Sequence, residues 1–257
     1  MTASPVLTST LAIAATADGR LVFLDRASGR RVHEMPLASA IESVVDDKGT
    51  GGVVALDGAR GKVVWARKTG AVFSSPALAG GTVIVGSDDG SVYALDPGKG
   101  TVLWAQRLGG KARATAAVAE DLVVTADFDG HVPALRVKDG TRAWTAELGH
   151  AVYSSPCLSG KLCVLGCHEG HVHGLEASTG TPRFQAQTRG PVISSAAAAG
   201  DRFLVASTDG TLYLLDADGR RLHQVALSSQ GVQSSPALDE AAIVVGSAEG
   251  LHGLRLV

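Results

Sequence analysis

The chain has 257 residues, 45% of them hydrophobic and 19% charged, with a formal net charge of −2 at pH 7. That length suits a single closed all-β domain covering 1–257. The near-neutral charge gives no electrostatic ground for a nucleic-acid or anionic-membrane partner, and no uncharged apolar run approaches the roughly 20 residues that span a bilayer.

The opening MTASPVLTSTLAIAATADGR lacks the basic start of a secretory signal, so a soluble, non-secreted, cytoplasmic chain is expected. Along the chain, Gly19, Gly90, Gly130, Gly170, Gly210 and Gly250 each follow an acidic residue, and the last five are spaced forty residues apart. A fixed period of that size marks a repeat array. Repeats begin near Ala3, Ala40, Ala71, Lys111, Ala151, Pro191 and Val232.

The first repeat carries a corner glycine, Gly29, followed four residues later by His33. The second, SAIESVVDDKGTGGVVALD, is about eight residues short and aligns with its neighbour only if the strand matching TVIVGSDD is deleted. It is therefore expected to be distorted or three-stranded. The third, AVFSSPALAGGTVIVGSDDGSVYALDPGKGTVLWAQRLGG, is the cleanest. It predicts four strands around Ser75–Leu78, Thr82–Ser87, Ser91–Leu95 and Thr101–Leu108, with Asp89-Gly90 as a two-residue hairpin turn. The corner that follows, Asp96 to Gly100, has an acid to accept backbone N–H bonds and a glycine to close the turn. Four residues past each corner glycine stand Trp65, Trp104, Trp144 and Phe184, with His223 in the same register. One large flat side chain per repeat is read as a cover for the joint between neighbouring units. The last repeat stops at Val257 after its third strand.

Four antiparallel strands per forty residues describe one blade of a β-propeller. The expected fold is all-β: a seven-bladed propeller of four-stranded antiparallel blades, its second blade shortened and its last lacking the outer strand. The pattern SSP-A-L … V-G-S-x-D-G-x-V-Y-A-L-D-x-x-x-G-x-x-x-W, from Ser74 to Trp104, resembles the PQQ-like propeller repeat. Four segments look most similar to the C-terminal propeller of the β-alanine-activating enzyme, in the acyl-CoA synthetase family. They are VFSSPAL at Val72, VYSSPCL at Val152, VLGCHEGHVHGL at Val164 and LVASTDGTLYLLD at Leu204. That resemblance implies an adenylating or carrier-type domain, or another protein, as partner. The sequence has no Gly-rich phosphate loop and no adenylating signature, so a non-catalytic interaction module is expected. The alternative is a small-molecule- or metal-binding propeller using the histidine-rich fifth repeat, and an outer-membrane-assembly scaffold is disfavoured by the missing secretory signal.

Quinone binding follows from the name of the repeat. The quinoprotein dehydrogenases it evokes pair a vicinal disulfide with a calcium held by Glu, Asn and Asp. This sequence has no adjacent cysteines and no asparagine, and no cofactor is expected. The fifth repeat gathers Cys163, Cys167, His168, His171 and His173 within eleven residues. A two-residue turn at Glu169-Gly170 sets His168 opposite His171, with His173 on the same face. Those three histidines are the candidate metal ligands, for Zn²⁺ or Cu²⁺. Cys163 and Cys167 are expected on the opposite face, about 13 Å apart by strand rise. Together with Cys157 the cysteines suit a reducing compartment and no disulfide framework.

The repeated pairs Ser74-Ser75, Ser154-Ser155, Ser194-Ser195 and Ser234-Ser235 lack a tied His or Asp and read as backbone satisfiers. The recurring corner acids Asp25, Asp57, Asp96, Glu176 and Asp216 read as turn formers. The fourth repeat breaks the pattern with Ala114-Thr115-Ala116, Phe128 in its hairpin, Pro133 in its third strand and Arg136 at the corner. There, local irregularity and an exposed contact aromatic are expected.

Overall fold

The computed structural model describes residues 6–7, 11–16, 20–25, 28, 30–36, 51–57, 62–238 and 242–254. Repeat starts at Ala3 and Ala40, the turn at Gly19, the corners at Gly29 and Gly61, and the deletion between Ser39 and Thr50 lie outside those residues. The described residues hold twenty-five strands and no helix, in seven antiparallel sheets.

The first sheet joins β1 (Val6–Leu7), β2 (Leu11–Thr16), β3 (Arg20–Asp25) and β4 (Arg31–Pro36). Of the second, β5 (Gly51–Asp57) and β6 (Lys62–Thr69) are described. The third comprises β7 (Ala77–Ala79), β8 (Thr82–Gly86), β9 (Ser91–Leu95) and β10 (Val102–Arg107). The fourth comprises β11 (Ala117–Ala119), β12 (Leu122–Val124), β13 (His131–Arg136) and β14 (Arg142–Glu147). The fifth runs through β15 (Cys157–Ser159), β16 (Leu162–Gly166), β17 (His171–Glu176) and β18 (Pro182–Gln187). The sixth runs through β19 (Ala197–Ala199), β20 (Arg202–Ala206), β21 (Thr211–Leu215) and β22 (Arg221–Ala226). The last has three described strands, β23 (Ala237–Leu238), β24 (Ile243–Ser247) and β25 (Gly250–Leu254).

Each sheet is a simple meander, and each short first strand lies beside the next one: β7 against β11, β11 against β15, β15 against β19, β19 against β23. These are the inner strands of a propeller. The core lies between blades. Val132 and Ala134 of the fourth blade, with Val152 at the start of the fifth repeat, meet Cys163, Leu165, Cys167 and Leu175 of the fifth blade. On the fifth blade's other face, Val164 and Val172 meet Phe203, Val205 and Tyr213 of the sixth. Burial on both faces explains the uninterrupted apolar runs.

Two periodic devices hold blade to blade. At the rim, Trp104 Nε1 donates to Val137 O at 2.8 Å, and Trp65 and Trp144 make the matching bonds to Pro97 O and Ala177 O one blade on. The indole of Trp104 covers Gly140, whose φ is +71°. Trp65, Trp144 and Phe184 likewise cover Gly100, Gly180 and Gly219. The expected joint cover is therefore real, and it lands on the corner glycine of the next blade. A one-residue bulge aims each ring. The register between the third and fourth strands slips at Leu103, Ala143 and Arg183, immediately before Trp104, Trp144 and Phe184. The bulged residues Val64, Leu103 and Leu222 point to solvent, so their exposure is a by-product of turning the neighbouring side chain inward.

At the centre, the repeated serines divide their labour. Ser74 Oγ donates to Gly86 O and accepts from Gly86 N–H, both at 3.0 Å, stapling its own blade; Ser154 and Ser234 do the same with Gly166 and Gly246. The second hydroxyl reaches backward to the previous blade. Ser75 N–H donates to Thr115 Oγ1, Thr115 N–H to Ser155 Oγ, Ser155 N–H to Ser195 Oγ, and Ser195 N–H to Ser235 Oγ, each across forty residues at 2.9–3.0 Å. Thr115 thus keeps the seam where the fourth repeat loses its serines. Ala114 loses the staple, and Thr125 Oγ1 donates to Ala114 O at 3.3 Å instead. Opposite Pro133, β12 shrinks to three residues, the irregularity expected of a proline without an N–H.

Candidate functional site

The hairpins between second and third strands position every candidate side chain, and they differ from the expected two-residue turn. Ser87 N–H donates to Ser91 O and Gly90 N–H to Ser87 O, leaving a three-residue loop of Asp88, Asp89 and Gly90. The same bonds form at Asp127–His131, Cys167–His171 and Ser207–Thr211. The glycines Gly90, Gly130, Gly170 and Gly210 all have φ between +82° and +90°. A turn ending in a left-handed glycine is the usual three-residue hairpin. Only in the last described sheet does Ser247 pair with Gly250 across a two-residue loop, because that repeat is one residue shorter there.

This one residue rearranges the histidine cluster. His168 does not face His171. It sits exposed at the loop tip, its ring centroid 5.6 Å from that of Tyr153. Cys167 takes the place opposite His171, and Leu165 pairs with His173. By strand alternation Cys163, Leu165 and Cys167 therefore share the face of His171 and His173, not the opposite face. One donor atom from each of Cys167, His171 and His173 falls within 4.8 Å of the others. Cys167 Sγ lies 4.0 Å from His171 Nδ1. The ring of His150, exposed on the preceding loop, has its centroid 5.8 Å from that of His171. The predicted trio thus exchanges His168 for Cys167, a buried residue that strand counting from a two-residue turn placed on the wrong face.

Comparison along the period shows what is unusual here. The slot of His173 holds Tyr93 and Tyr213 in the third and sixth blades, and their hydroxyls donate at 2.7 Å to Asp89 and Asp209. Those carboxylates also accept from Gly70 N–H and Arg189 N–H, tying the hairpin to the loop from the preceding blade. In the last blade His252 fills the slot, with Nε2 2.8 Å from Ser247 Oγ. In the fifth blade Nε2 of His173 is buried and has no hydrogen-bond partner. Burial, with repulsion from His171 and His150, pushes the imidazole down to about 4, so it is neutral and keeps a free lone pair at pH 7. Cys163, deeper on that face, has its thiol pushed up to about 12 by burial and is inert as a nucleophile.

In the fourth blade the slot of His173 holds Pro133, and the position of Cys167 holds a carboxylate. Asp127, fully buried, accepts from Gly109 and Gly110 N–H at 3.1 and 3.0 Å and from Asp129 and His131 N–H at 3.0 and 2.9 Å. Burial alone would raise its pKa. Bonds from Gly110, from the His131 ring and backbone and from Gly109 outweigh that and hold it below the ordinary carboxylate value. Beside it is a cavity of about 90 Å³ lined by Leu108, Gly109, His131, Pro133, Arg142 and Thr145. Cofactor and drug-sized ligand sites run from about 300 Å³ upward, so this one takes no cofactor.

A second constellation escaped the sequence reading. These hairpin tips are tied to the segment leading into the inner strand of the same blade, by Asp88 N–H to Ala71 O, Phe128 N–H to Lys111 O and His168 N–H to Ala151 O. The side chains at these tips and at Phe73, Arg113 and Tyr153 then interleave in one ribbon. Arg113 forks onto Asp88 at 2.7 and 2.6 Å, with Cζ 4.0 Å from the Phe73 centroid and 5.0 Å from that of Phe128. Phe128 stacks on Tyr153 at 4.1 Å, and Tyr153 on His168. Phe73 and Tyr153 remain 36% and 40% exposed. Phe128 is half-buried by these neighbours rather than free in solvent. The signal was present as the two slots whose residues change at every period: Phe73, Arg113, Tyr153, Ile193, Gln233, and Asp88, Phe128, His168, Thr208, Ala248.

The fold defines the class: a β-propeller built from PQQ-like repeats. A family model described as outer membrane protein assembly factor BamB matches residues 49–196 and again 146–256, and the chain belongs to that family. Among solved structures, BamB from Moraxella catarrhalis superposes with a TM-score of 0.80 at 20% identity, covering 95% of this chain and 81% of that one. The computationally designed Ika8 protein superposes at 0.66 with 14% identity, covering 99% and 96%. At these identities both likenesses concern the fold. No curated protein matches the sequence.

Proposed function

We propose that this propeller is a non-catalytic interaction module whose partner, a protein or neighbouring domain, docks on the ribbon Phe73–Arg113–Phe128–Tyr153–His168. The observation that carries the reading is that ribbon. It is a continuous aromatic and guanidinium surface across three blades, built on slots that the scaffold leaves variable. Tyr, Phe and Arg are the side chains enriched at the buried centres of protein interfaces. The Asp88 fork and the strand ties hold Arg113 and its rings in place before binding, which reduces the ordering cost of association.

The specific occupant proposed is an adenylating or carrier domain of an amino-acid-activating protein, in the cytoplasm. It is supported by the likeness of the segments at Val72, Val152, Val164 and Leu204, and by three free cysteines, which suit a reducing compartment. The description of the matched family favours a second reading, a scaffold in outer-membrane protein assembly. Calorimetric titration of the chain with an adenylating–carrier fragment tests the first. Binding that falls at least about tenfold on Arg113→Glu with Phe128→Ala supports both ribbon and partner. Absence of binding rules out that partner, and binding unchanged by the substitutions moves the docking site off the ribbon.

A further inference from the structure

We propose that Cys167, His171 and His173 form a zinc site in the joint between the fourth and fifth blades. One thiolate and two imidazoles are a borderline-soft donor set suited to Zn²⁺. Tetrahedral zinc, with bonds of about 2.3 Å to sulfur and 2.0 Å to nitrogen, separates these donors by about 3.5 Å. The 4.0 Å between Cys167 Sγ and His171 Nδ1 closes to that with small side-chain rotations. All three donors lie within 4.8 Å, on adjacent strands of one hairpin whose register is fixed by the left-handed Gly170.

The independent observation is the orphan nitrogen. Where the slot recurs with a polar side chain, its polar atom is matched: Tyr93 to Asp89, Tyr213 to Asp209, His252 to Ser247. In the fifth blade the acid is Glu169, exposed at the loop, and Nε2 of His173 is buried without an acceptor or donor. An unmatched buried polar atom is costly, and a metal ion removes that cost. Cys167 stands where the other hairpins carry Ser87, Asp127, Ser207 and Ser247. It supplies the sulfur, its proton leaving to solvent as the Zn–S bond forms. The exposed ring of His150, its centroid 5.8 Å from that of His171, stands next to the cluster.

The test uses the full chain, zinc-free, titrated with zinc against a chromophoric chelator at neutral pH. One equivalent is expected to bind. Cys167→Ser and His173→Tyr install side chains that the same slots already hold in other blades, so both should fold. Each is expected to weaken binding by more than about a hundredfold, since even residues that only orient a metal ligand change affinity by about 10–100-fold. Cys157→Ser should bind as the parent does. Cobalt substitution adds a readout independent of folding: a near-ultraviolet sulfur-to-cobalt band, lost in Cys167→Ser. No stoichiometric zinc, parental affinity in His173→Tyr, equal loss in Cys157→Ser, or cobalt bound without the sulfur band would each overturn the site.

Discussion

Gly140→Ala tests the joint between the third and fourth blades most directly. Two costs arise. Gly140 has a φ of +71°, and a left-handed conformation costs an alanine about 1–2 kcal/mol. The new Cβ would also lie 2.6 Å from Cε3 and 2.7 Å from Cδ2 of Trp104, so the indole has to withdraw. Withdrawal loosens the 2.8 Å bond from its Nε1 to Val137 O, worth about 1 kcal/mol net, and exposes part of a ring that is 9% accessible. The total is about 3–4 kcal/mol, a fall of roughly 6–16 °C in Tm for a chain this size. Scanning calorimetry of Gly140→Ala, Trp104→Ala and the double variant measures it. Without the indole the glycine substitution should retain only its backbone component, about 1–2 kcal/mol. An equal effect of Gly140→Ala with and without Trp104 would refute the account of the joint as a ring seated on a glycine.

Asp127→Asn removes the charge that four backbone N–H groups converge on and is expected to destabilise by about 2–4 kcal/mol at pH 7. Because the folded-state pKa of Asp127 is depressed, its contribution is complete above the unfolded carboxylate value and is lost as pH falls through the lower folded value. Urea midpoints of parent and variant should converge in acid, and a gap independent of pH would contradict this. Ser195→Ala leaves the Ser155 N–H without its acceptor and should reduce stability by about 1 kcal/mol by urea titration, whereas a neutral result would mean the seam is incidental.

The architecture was legible because it is written once per forty residues. Turn glycines, corner acids and the aromatic four places later identify a blade redundantly, so an error at one repeat is corrected by the others. The division of work between Ser154 and Ser155 was legible only in kind, since a sequence does not say which hydroxyl turns to its own blade and which to the previous one. The histidine cluster failed on a single residue. Glu169-Gly170 reads as a two-residue turn, but a glycine in the left-handed region also ends a three-residue one, and strand alternation turns that ambiguity into opposite faces. His168 was thereby exchanged for Cys167. The ribbon around Arg113 was missed for another reason. Its members lie on three repeats and meet only because the blades fan around one centre, a proximity that no spacing along the chain encodes.

The central seam carries a consequence for how such a chain can change in length. Every inner strand from Ser75 to Ser195 offers an N–H in one direction, and Thr115, Ser155, Ser195 and Ser235 offer a hydroxyl in the other, so each repeat is complementary to a copy of itself shifted by forty residues. A tandem duplication beginning anywhere within this stretch would preserve every donor and acceptor at the new junction. An insertion between the paired serine or threonine and the inner strand it leads into would shift that pairing. Growth by copying whole blades is thus permitted by the chemistry of two small side-chain types, serine and threonine, whatever the copied blade later displays on its surface.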